Sequence, residues 1–81
     1  MIQVKFVTLK GALETVREER FYTARAAFEA VLSYAAAHGF TNVERIDDGY
    51  DDGYGVTWRY TARPAGVRAG RNVAFADLLE D

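Results

Sequence analysis

The sequence predicts an α+β domain, with one helix packed on a small antiparallel sheet. Three observations predict it. Residues 2 to 9 alternate apolar and polar side chains with the two-residue period of a strand. Residues 23 to 38 carry an apolar stripe with the period of a helix. Three further short strand-like segments follow, separated by glycine, proline and aspartate. The expected order is ββαβββ, with βαβββ as the alternative, in a single domain over residues 1–81.

In the first segment Ile2, Val4 and Phe6 point one way, and Gln3 and Lys5 the other. Val7 and Leu9 fall on the second face, and Lys10-Gly11 breaks the run. Residues 12 to 22 read two ways. Leu13, Val16, Arg20 and Ala24 have helical spacing, whereas Leu9-Lys10-Gly11-Ala12 can turn a hairpin into a strand through Thr15, Val16, Arg17 and Phe21. The hairpin is the preferred reading.

Thr23 is placed to cap the helix, because its hydroxyl can accept an amide of the first turn. Ala24, Ala27, Phe28, Val31, Leu32 and Ala35 form the expected apolar stripe, opposite Arg25, Glu29 and Ser33. Gly39 ends the helix, since glycine takes the left-handed conformation cheaply. Phe40 then packs back. Strands are expected over Val43 to Ile46, Gly55 to Thr61 and Asn72 to Ala76. In the middle one Trp58 and Tyr60 alternate with Arg59, so the two aromatics read as core. The tail from Asp77 to Asp81 reads as frayed or as a helical turn.

Composition narrows the function. There is no cysteine and one histidine, which excludes a disulfide framework and the usual zinc sites. The 49% apolar content, with five phenylalanines, five tyrosines and one tryptophan, supplies a core built on packing alone. The start of the chain reads as strand rather than leader, and no apolar run approaches transmembrane length. A cytoplasmic location is the expectation.

Net charge is −2, but it is unevenly spread. Residues 44 to 52 hold Glu44, Asp47, Asp48, Asp51 and Asp52 against Arg45 alone. Residues 53 to 76 hold Arg59, Arg63, Arg68 and Arg71 and no acid. The oddest stretch is Asp47-Asp48-Gly49-Tyr50-Asp51-Asp52-Gly53-Tyr54-Gly55. Its carboxylates cannot be buried together, so they must face water, an ion or a basic partner.

Catalytic chemistry finds little support. The single serine, Ser33, and the single histidine, His38, sit roughly 140° apart around a helix axis. They therefore cannot form a nucleophile–base pair, and a non-enzymatic protein is expected. The aspartates suggest calcium or magnesium, but an EF-hand register starting at Asp48 puts Arg59 where a bidentate glutamate is needed. No cofactor or metal is assigned. Asp-Gly pairs also suit a hairpin tip, which accounts for the glycines but not for Tyr50 and Tyr54.

Protein binding fits that stretch best. Tyrosine anchors dominate interfaces, and a carboxylate rim steers and orients a basic partner. The partner-binding residues are therefore Asp47, Asp48, Tyr50, Asp51, Asp52 and Tyr54. The competing reading is a nucleic-acid-binding or antitoxin-like regulatory domain using Arg59, Arg63, Arg68 and Arg71. The neighbouring acids oppose a polyanion, which disfavours it. A homodimer through the edge of the short final strand stays open.

In size, order of elements and acidic segment the chain resembles several small anti-CRISPR proteins encoded by phages and mobile elements. The resemblance is carried by the ββα start with its helix from Thr23 to Gly39 and by the acidic run from Glu44 to Asp52. It implies a cytoplasmic inhibitor without catalytic motifs, bound to the basic surface of a host nucleic-acid-processing complex. It transfers no individual residue. The net charge of −2 departs from the strongly acidic members of that group that mimic DNA, which points to local docking by the acidic segment.

Overall fold

In the computed structural model, residues 1–9, 11–47 and 57–79 are described. The elements are β1 (Ile2–Val7), β2 (Thr15–Phe21), α1 (Ala24–Ala37), β3 (Phe40–Ile46), β4 (Trp58–Pro64) and β5 (Arg71–Leu78). This is the expected ββαβββ order, and it resolves residues 12 to 22 in favour of the hairpin. The five strands form one sheet in the order β2-β1-β5-β4-β3, with every neighbouring pair antiparallel.

Alternation decides which side of the sheet the helix covers. Ile2, Val4 and Phe6 of β1 pair with Leu78, Ala76 and Ala74 of β5. Trp58 and Tyr60 of β4 pair with the same Ala76 and Ala74. Directly paired residues share a face, so these side chains form one layer. With Ala62, Val73, Ala27, Val31 and Ala35 they build the main core, and Val4, Phe6, Tyr60 and Val31 are fully buried. Trp58 and Tyr60 are thus core, as their alternation with Arg59 predicts. The opposite face carries the smaller buried pair Val7 and Phe75.

The helix begins where the sequence places its cap. The Thr23 hydroxyl accepts from the Ala26 amide at 3.1 Å. Its buried positions are Ala27, Val31 and Ala35, a narrow strip at four-residue spacing. Three members of the predicted stripe fall outside this strip: Phe28 is only partly buried, Ala24 is exposed and Leu32 is 41% exposed. Small side chains along the strip bring the helix close to the sheet, so fewer rows of residues reach the core. Gly39 (φ 78°) ends the helix and Phe40 is buried, both as expected.

Strand bounds shift from the sequence reading at several ends. β3 starts at Phe40, β4 extends to Pro64, and β5 runs on through Asp77 and Leu78. β5 is not an edge, because it lies between β1 and β4. The edges are β2 and β3. Leu79 N–H donates to Met1 O at 2.7 Å, continuing the β1–β5 contact past the strand ends.

Candidate functional site

β3 and β4 are antiparallel neighbours, with Ile46 opposite Arg59. Residues 47 to 57 therefore join two adjacent strands at one end of the sheet. This connection contains the acidic segment. Asp47 is described, whereas Asp48, Tyr50, Asp51, Asp52 and Tyr54 lie outside the described residues, and so does the calcium-loop register considered for them. Among the described residues no group of three or more histidine, cysteine, aspartate or glutamate side chains could hold a metal ion.

The base of the connection is built by three side chains. Arg45 sits opposite Tyr60 on β4, which brings it diagonally over Trp58. Its guanidinium lies 4.1 Å from the indole centroid. Its Nε donates to both carboxylate oxygens of Asp47, at 3.1 and 3.0 Å. Both charged partners are substantially exposed, so the ion pair itself contributes little and the stacking on a buried indole contributes more.

Beneath this clamp, burial raises the pKa of the Tyr60 hydroxyl above its ordinary value of 10.0. The Trp58 indole N–H and Arg45 pull it down, and Asp47 pushes it up again. Trp58 Nε1 and the Tyr60 hydroxyl both remain buried without a hydrogen bond among the described residues.

The four arginines of the competing reading are divided by the fold. Arg59 lies on the face away from the helix, and its Nη1 donates to Asn72 Oδ1 at 2.7 Å. Arg71 is tied into the β1–β2 turn: Nη1 donates to Leu9 O at 2.8 Å, and Nη2 to Thr8 O at 3.1 Å and Gly11 O at 3.3 Å. Arg63 and Arg68 come together. They line an open groove of about 440 Å³ with Asn42, Glu44, Thr61 and Gly70. This groove lies at the Phe40–Pro64 end of the β3–β4 pair, opposite the end bearing the acidic connection.

Arg63 is held by a local irregularity. Thr41 pairs with Arg63 and Glu44 with Thr61, leaving an extra residue in β3. Such a bulge accommodates a left-handed residue, and Asn42 (φ 57°) supplies it. Its amide is assigned from the hydrogen-bond network. Oδ1 then accepts from Arg63 Nε at 2.6 Å and from Nη2 at 2.7 Å.

The Arg63 loop closes with a tight turn. Val67 N–H donates to Pro64 O at 3.1 Å, with Gly66 at φ 79°. A glycine is needed at that third turn position because φ is positive there.

At the end of the helix Ser33 and His38 both line a shallow groove beside Tyr34 and Arg17. They make no hydrogen bond to one another among the described residues, in keeping with their angular separation. His38 caps the helix, and its ring tilts against Tyr34 with centroids 4.9 Å apart. The Tyr34 hydroxyl donates to Val7 O at 2.6 Å. Burial raises its pKa, against Arg17 and Arg71, which lower it.

The features that escaped the sequence reading include the Arg45–Trp58 clamp and the Asn42–Arg63 contact. The second had a signal, because asparagine is the residue after glycine most tolerant of left-handed backbone. The first depends on cross-strand register, which no local pattern carries. The fold defines a small α+β protein, one helix on a five-stranded antiparallel sheet. No protein family, no curated protein and no solved structure matches the chain.

Proposed function

We propose that the chain is a non-enzymatic protein-binding inhibitor. It docks the β3–β4 connection, through Asp47, Asp48, Tyr50, Asp51, Asp52 and Tyr54, onto the basic surface of a partner protein. The observation that carries this reading is the antiparallel pairing of Ile46 with Arg59, which gathers these residues into one connection between neighbouring strands. The Arg45–Trp58–Asp47 clamp supports it by fixing the connection's first residue to the core. In the concrete form the partner is a host nucleic-acid-processing complex of the CRISPR–Cas type, and the protein is phage or mobile-element encoded and acts in the host cytoplasm. The resemblance in outline motivates that form.

The test has two stages. Capture from host lysate followed by mass spectrometry identifies the partner, and titration with the purified partner gives the affinity. Changing Asp47, Asp48, Asp51 and Asp52 to asparagine is expected to slow association and weaken binding at least about tenfold at low salt. Unchanged affinity removes the acidic connection from the mechanism. Tight binding to single-stranded DNA with a steep salt slope overturns the reading outright.

A further inference from the structure

We propose that the groove between Arg63 and Arg68 binds the phosphate group of a phosphate monoester. This site stands apart from the acidic connection, so its fate is independent of the inhibitor reading.

The argument starts from donor inventory. A guanidinium carries five N–H donors. Asn42 Oδ1 takes two from Arg63, one each on Nε and Nη2. This contact orients the planar group and leaves three donors without a partner among the described residues. Arg68, on the exposed loop opposite, lines the same space. It has no hydrogen-bond or ion-pair partner among the described residues either. Thr61 and the Gly70 backbone complete a predominantly polar wall.

At Gly70 the loop returns beside β4, where a β-carbon would come into ordinary contact with Ala62 O at 3.4 Å.

Two arginines lining one groove favour a ligand with several acceptors. A carboxylate offers two oxygens, whereas a phosphate monoester offers three terminal oxygens and more charge. Charge-assisted bonds from arginine to phosphate are among the strongest polar contacts, and their fork geometry suits it. Glu44 lines the groove as well. Its carboxylate opposes an anion, and this sets the sign of one test.

The experiment follows the arginine Nε–H signals by NMR while inorganic phosphate, or separately adenosine 5′-monophosphate, is added at constant ionic strength. Saturable shifts at Arg63 and Arg68, but not at Arg25 on the helix, support the site. Arg68→Ala is expected to weaken binding about tenfold, the loss of a charge-assisted contact. Glu44→Gln is expected to tighten it. Tighter binding of the nucleotide shows that the site also contacts the rest of the monoester, and equal binding shows that it recognises the phosphate group alone. Shifts of equal size at Arg25, or an affinity unchanged in Arg68→Ala with the fold intact, overturn the proposal. So does binding by neither ligand.

Discussion

The Arg45 guanidinium lies 4.1 Å over the ring of Trp58, a residue on the neighbouring strand that is itself only 3% exposed. An exposed cation thus closes the lid of the core at the point where the acidic connection leaves the sheet. Cation–π contacts at such exposed sites contribute about 0.5–1 kcal/mol. Arg45→Ala is therefore expected to cost about 1 kcal/mol in urea unfolding. Asp47→Asn is expected to cost less than about half of that, because an exposed ion pair is weak. Equal losses would mean that the ion pair, not the stacking, secures the clamp.

Arg71 bonds to the carbonyls of Thr8, Leu9 and Gly11. Removing it leaves these acceptors without their charged donor. Hydrogen bonds to charged groups contribute about 1.5–3 kcal/mol each at most, and bonds sharing one donor group do not add. Arg71→Ala is expected to destabilise by about 2–3 kcal/mol. Hydrogen exchange at Thr8 and Glu14, which bond across the turn, should accelerate first. A loss of ligand binding with no change in stability would contradict this assignment.

Tyr60 and Tyr34 bear on alkaline stability. Burial raises both hydroxyl pKa values in the folded state above the ordinary 10.0. Their contribution is fully present below the unfolded value near 10 and is lost as pH rises through the higher folded value. Stability is expected to fall above about pH 10. Tyr60→Phe should flatten part of that fall when urea midpoints are compared at pH 9 and pH 11. At pH 7 the same change is expected to be neutral or to stabilise by up to about 1 kcal/mol, because the buried hydroxyl makes no hydrogen bond among the described residues. A loss of more than about 1 kcal/mol would show that the hydroxyl is bonded.

Ala27 is fully buried between helix and sheet. Ala27→Leu forces extra carbons into that contact and is expected to cost about 1–3 kcal/mol. Leu32→Ser on the exposed side is expected to change stability by about 0.5 kcal/mol or less. Thermal unfolding of the two variants checks both. A larger loss for Leu32 would place the buried strip one row further round the helix.

The helix was the most legible element, because Thr23, the apolar stripe and Gly39 agree on both ends. Leu32 was misplaced since periodicity gives a direction, not the width of the buried strip. β2 was ambiguous for a physical reason. It is an edge strand whose residues Thr15 to Arg20 are all exposed, so no face is selected for apolar side chains. The reach of β5 was hidden because Asp77 and Leu78 look like tail, yet they pair with Gln3 and Ile2. In the candidate sites, the charge clusters were visible as composition. Their division was not, since Arg71 turning to β1 and Arg63 turning to Asn42 depend on long-range register and on a bulge.

The position of β5 also constrains the order of assembly. β1 with β2, and β3 with β4, are neighbours in sequence as well as in space, so each hairpin can close early. Within the sheet the two pairs are joined through β5, while α1 packs against both. The non-local pairing of Val4 with Ala76 must wait until β5 has been made. Until then the inner edges of both halves are open to solvent and to other chains.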